Sequence, residues 1–129
     1  MNEITFQDVY RTASELVGEF GAEFIYEKRR SSTGQLMCYY VKDGQGDCIV
    51  GRVLVKLGVS VDILRQYEGD GSWFVLRQLR EKGWSINEEA DMFLGVLQGS
   101  QDSGWTWGHS LREAQNALRD EIYKMFMSE

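Results

Sequence analysis

Proline is missing altogether from this 129-residue chain, histidine occurs once and cysteine only twice. Without proline no helix is interrupted by a missing N–H, so the turns fall to the 14 glycines and to polar capping residues. One His and two Cys lack the paired spacing of a zinc site and leave a fourth ligand unnamed, so neither a metal nor a cofactor is expected. No apolar run approaches the length of a membrane span. The opening MNEITFQDVY lacks the basic-then-apolar pattern of a secretion signal, so the expectation is a cytoplasmic protein that does not engage a membrane. Positive charge is also short, with 14 Lys and Arg against 20 Asp and Glu and a net charge of −6. Such a chain repels nucleic acid as a whole, and DNA binding would need a local basic patch acting against that field.

What is present describes an ordinary globular protein. Apolar residues make up 43% and charged residues 26%, enough for residues 1–129 to form one domain around its own core. Phe6, Val9, Tyr10, Ala13, Leu16, Val17 and Phe20 recur at helical spacing, with Thr5 and Asp8 placed as a capping pair and Gly21 as a stop. FIYE (Phe24–Glu27) and LMCYYV (Leu36–Val41) are rich in aromatic and β-branched residues and predict a β-hairpin across a polar loop. DGQGD (Asp43–Asp47) reads as a turn whose Asp47 caps the helix opening at Cys48. That helix, CIVGRVLVKL, is apolar on most of its surface and therefore central. Ser60, Ser72, Asn87 and Ser110 mark the starts of further helices, the last as a Ser110–Glu113 capping box, and QGSQDSGWTWG reads as a Gly-rich connection. The predicted fold class is α+β: a mostly α-helical single domain of about six helices with a small two-stranded β-hairpin.

The corner Gly58-Val59-Ser60 joins two of those helices. With Gly51, Val61, Asp62, Leu64, Arg65, Tyr67, Glu68 and Gly71 it resembles the helix-turn-helix of mercury-resistance (MerR) type regulators, over about a sixth of the chain. The resemblance implies a DNA-binding regulator using residues 48–68, with Ser60 and Arg65 facing phosphate or base edges. Three features depart from that family. Leu54 stands where a small residue lets the two helices approach, and so predicts splayed helices. SWFVLRQL continues as an apolar helix instead of a basic wing, and Asp62 and Glu68 outnumber Arg65.

A wider resemblance runs from about Tyr39 to Ala114. Cys-Ile-Val-Gly opening a helix, Leu-Gly-Val-Ser closing it, and the later Gln101, Asp102, Gly104, Trp107 and Gly108 are similar to small uncharacterised proteins of actinobacteria and their phages. The resemblance implies a small cytoplasmic protein, phage-encoded in some members, and carries over no activity.

Candidate chemistry is sparse. Cys48 at a helix N-terminus, where the dipole favours thiolate, could pair with His109 and with Asp102 as orienter in a cysteine-dependent enzyme. Against this, Cys is most often a small buried hydrophobe. A Cys38–Cys48 disulfide could close the DGQGD turn, but cytosol would keep it reduced. Lys28, Arg29 and Arg30 form the one basic cluster, balanced by Glu23 and Glu27. Trp105 and Trp107 flank Thr106 in a Gly-bounded turn, where an exposed Trp would be a partner hot spot and a buried one a core plug. The leading expectation is a non-enzymatic interaction protein acting on a protein partner through Trp105, Trp107 and the 28–30 loop. The DNA-binding regulator stands second and the Cys48/His109 enzyme third. Partner and oligomeric state are not encoded in any motif.

Overall fold

In a computed structural model that describes residues 2–127, the chain forms seven helices and three small two-stranded sheets among the described residues. It is the expected mostly helical α+β domain. α1 (Phe6–Phe20) opens on the expected capping box, with Thr5 and Asp8 each bonding the other's backbone N–H. Its stripe of Phe6, Val9, Ala13, Leu16 and Val17 is buried. Gly21, at φ +96°, ends it in a conformation that a side chain would strain.

The expected hairpin is displaced. The paired strands are β2 (Arg29–Arg30) and β3 (Leu36–Met37), with Arg29 opposite Met37 and Arg30 opposite Leu36. Residues 22–26 run instead along the start of a later helix. There the Ala22 and Phe24 carbonyls accept the Gly108 and Trp107 N–H groups at 2.9 and 2.8 Å, and the Phe24 ring packs on Trp107. Burial of that aromatic pair outweighs the strand preference of FIYE. DGQGD makes a second, tighter hairpin between β4 (Val41–Lys42) and β5 (Gln45–Gly46). Its two loop residues, Asp43 and Gly44, both have positive φ, the twist that a two-residue hairpin requires.

α2 (Ile49–Lys56) is the central helix its composition suggests, with Ile49, Val50, Val53 and Leu54 fully buried. Its cap is the Cys48 thiol and not Asp47, whose carboxylate is engaged elsewhere. The corner follows as read, with Gly58 at φ +100° and Ser60 capping α3 (Val61–Arg65). α4 (Ser72–Glu81) is capped by Gly71, since Ser72 itself lies inside the first turn and is buried. β6 (Ser85–Ile86) pairs in parallel with β1 (Glu3–Ile4), an unexpected tie between the N-terminus and the middle of the chain.

α5 (Glu88–Asp102), capped by Asn87, runs a turn beyond its apolar stripe and absorbs residues expected in a connection. α6 (Trp107–Ala117) begins at Thr106, whose Oγ1 accepts the His109 N–H at 3.0 Å. The proposed Ser110–Glu113 box therefore does not form; Ser110 is buried and donates to the Thr106 carbonyl. A break at Leu118 separates α7 (Arg119–Met127), so the single last helix that was expected is two. α5 is the hub, touching α1, α2, α4 and α6.

The 40–46 hairpin lies hard against α2. A Cβ added to Gly51 would stand 1.8 Å from the Tyr40 carbonyl oxygen. Gly51→Ala should therefore destabilise the protein by about 3 kcal/mol through overpacking. Gly18→Ala, on an open part of α1, should stabilise it by roughly 0.5–1 kcal/mol. Urea unfolding of both variants checks this; shifts of the same sign would contradict the close approach at Gly51.

Candidate functional site

The inner side of the last α5 turns carries amides and a carboxylate where apolar residues would be expected. Gln98 and Gln101 are buried, and with Asp102 they reach toward both cysteines. The Gln101 amide oxygen accepts the Ile49 N–H at 2.8 Å, one of the donors left over at the start of α2, and the Trp107 indole N–H at 3.2 Å. Its NH2 donates to Asp102 Oδ1 at 3.0 Å. The same oxygen receives the Cys38 thiol at 2.8 Å and Gln98 Nε2 at 3.3 Å. The Cys48 thiol donates to Gln98 Oε1 at 3.6 Å and accepts the Gly51 N–H.

These surroundings decide the cysteine chemistry. Burial pushes the Cys48 thiol far above its ordinary value and outweighs the backbone N–H of Gly51. Cys38 is pushed up to about 12 by burial and by its bond to Asp102, with the Lys28 charge opposing. Both stay protonated and free of a disulfide. The Cys48–His109 pairing does not form, because His109 stacks on Trp105 and meets Glu113 at 3.2 Å. The dipole argument for a Cys48 thiolate fails on desolvation. Among the described residues no group of three or more His, Cys, Asp or Glu is placed to hold a metal ion.

The three cations of the 28–30 loop have separate fates. Arg29 forks onto Asp47 through Nε at 2.7 Å and Nη2 at 2.8 Å, and the Tyr26 hydroxyl adds a third bond to that carboxylate at 2.5 Å. Burial works against the Asp47 charge, but Arg29, Tyr26 and nearby Arg52 hold its carboxyl below the usual range. Arg30 closes its own turn onto the Gly34 carbonyl. Lys28 makes no ion pair among the described residues and borders a cleft of about 430 Å³. Tyr40 lines the same cleft, and Glu68 ties down the backbone beside it. The Tyr40 hydroxyl donates to the Asp70 carbonyl, and the Tyr40 and Val41 N–H groups both bond the Glu68 carboxylate.

The two tryptophans of the WTW turn part ways. Trp107 is fully buried, its ring packed between Phe20 and Phe24. Trp105 is 54% exposed and rests on the His109 ring at 4.4 Å. Beside it lies a shallow hollow of about 510 Å³ floored by Val96, Gly99 and Ser100. The Ser100 hydroxyl is buried there with no hydrogen-bond partner among the described residues. At the corner, Leu64 is fully buried, Ser60 Oγ is used to cap α3, and Arg65 is drawn to Asp62 at 2.8 Å. Leu54 is a core residue with no exposure at all.

The motif Gln101–Gly108 is thus accounted for residue by residue as structure. Gln101 and Asp102 form the network, and Gly104 turns the chain at φ +92°. Trp107 fills the core, and a Cβ on Gly108 would stand 2.7 Å from Ala22. Sequence reasoning missed Gln98, Tyr26 and Asp47 as members of polar networks. The available signal was a pair of Gln residues on the inward side of an apolar helix.

A thiol reagent should titrate Cys38 slowly in the native protein and Cys48 only on unfolding; a fast native reaction at Cys48 would contradict its burial. Because the native Asp47 carboxyl is lowered, its stabilisation is present above the unfolded carboxylate value near pH 4 and lost as pH falls through the native one. Asp47→Asn should cost about 2 kcal/mol at neutral pH and flatten the acid limb of a stability–pH curve. No family model, curated protein or solved structure matches this chain.

Proposed function

We propose that the protein is a non-enzymatic interaction module that recognises a protein partner through the face built by Trp105, His109 and the outer side of α5. The carrying observation is Trp105: a large aromatic left more than half exposed, yet fixed in place by His109 beneath it. Along the adjoining helix, Met92 is exposed, and Gly95 and Gly99 have open space where a Cβ would stand or only distant contact. Residues 92–101 carry no charge. An uncharged helix face with small residues beside a rigid aromatic wall suits an amphipathic helix laid into the hollow. Glu88 and Glu89 at one end of α5 and Glu113 at the other favour basic flanks on that helix.

Arg29 is spent on Asp47 and Arg30 closes its own turn, so the 28–30 segment adds little to this surface. The corner helix α3 supports a nucleic-acid reading poorly: it has five residues, and its one cation is paired with Asp62. No helix is long and apolar enough to cross a membrane among the described residues; a cytoplasmic setting belongs to the same proposal.

A photo-crosslinking residue at position 96 should capture a specific protein in the native host. Trp105→Ala should weaken that capture by about tenfold or more, since a hot-spot aromatic contributes about 2 kcal/mol. Arg65→Ala should leave it unchanged. Capture that is insensitive to Trp105 but lost with Arg65 would sink the reading.

A further inference from the structure

The cleft beside β3 is a second site on a different side of the network, and nothing in the protein-binding reading uses it. Its walls are Leu36 and Met37 on one side and the 69–71 loop on the other, with Cys38, Gln98 and Asp102 on its floor. At about 430 Å³ it falls within the range of small-ligand pockets.

Part of its charge is unspent. All three donors that reach Asp102 go to Oδ1, and no donor meets Oδ2 among the described residues. Nor does any ion pair engage the Asp70 side chain among the described residues; Tyr40 bonds its backbone carbonyl instead. Lys28 borders the same cleft without an ion pair, near enough for its charge to act on Cys38. Buried Gln98 and Gln101 hold Asp102 in one orientation, which is the arrangement of a preformed recognition group more than of a surface acid.

We propose that this cleft binds a small zwitterion of the arginine type, with a guanidinium on Asp102 Oδ2 and Asp70, a carboxylate on Lys28, and an alkyl stem along Met37. A guanidinium presents several donors in one plane and can serve two carboxylates at once, which a compact ammonium does less well. The opposite charge at Lys28 then demands an anion on the same ligand, and rejects a simple polycation. The same chemistry is carried by free arginine and by the C-terminal arginine of a peptide.

Calorimetric titration with L-arginine, agmatine and an N-acetylated peptide ending in arginine tests the assignment. L-arginine or the peptide should bind, and the tighter of the two identifies the source. Agmatine, which lacks the carboxylate, should bind about tenfold more weakly, and Lys28→Ala should abolish that difference. Asp102→Asn keeps the Oδ1 acceptor but should lose about tenfold or more for every probe. Asp70→Asn, whose side chain carries no bond of the fold, should weaken binding in the same direction, with circular dichroism unchanged. Absence of binding for both carboxylate-bearing probes at millimolar concentration overturns the proposal, as does affinity unaltered by Asp102→Asn and Asp70→Asn. Trp105→Ala leaves this binding intact, so failure here and failure of the partner reading are separable.

Discussion

One side-chain amide, that of Gln101, holds three helices in register. Its oxygen takes the Ile49 N–H at the start of α2 and the indole N–H of Trp107 at the start of α6. Its nitrogen fixes Asp102 at the end of α5. An apolar residue there would fill the space but leave two buried donors without acceptors, each costing about 1–3 kcal/mol. Gln101 is only 2% exposed, so water cannot take the place of its amide at those two donors. Everything built on these helix ends, from the Trp105 turn to the floor of the 28–70 cleft, inherits its geometry from that amide.

Around it, glycine lets backbone meet backbone. Gly51 brings α2 against the Tyr40 carbonyl, and Gly108 brings α6 against Ala22. The loops that result are pinned by side chains instead of ladders: Glu68 takes the N–H groups of Tyr40 and Val41 at the start of β4, and Asp47 takes Tyr26 and Arg29. This explains how strands of only two residues persist. It also explains why the buried carboxylates differ. Asp47 sits among cations and stays charged, whereas burial outweighs two N–H bonds at Glu68 and raises its carboxyl.

Helices were legible wherever periodicity and a cap agreed, as in α1 with Thr5 and Asp8, or α3 with Ser60. Caps misled where a Ser could be buried. Ser110 and Ser72 serve inside their helices, because Thr106 and Gly71 precede them in the extended conformation that a cap requires. Strand preference placed the hairpin too early, since it is blind to the Trp107 ring that claims Phe24 from more than eighty residues away. The candidate site was half legible for the same reason. A core place was favoured for at least one of Trp105 and Trp107, but which one depended on Gln101, whose amide oxygen accepts the Trp107 indole N–H. That Arg29 would be consumed by Asp47 could not be read from a local charge count.

The short parallel pairing of Glu3–Ile4 with Ser85–Ile86 has a consequence for synthesis. As the chain leaves the ribosome, the N-terminal segment has no strand partner until residue 86 emerges, and α1 must wait longer still for α5. Contacts so distant in sequence close slowly, because the loop must be ordered before it is rewarded. α1 can meet α2 early, but its packing against α5 waits until residues 88–102 are made, so part of its apolar stripe stays open to chaperones until then.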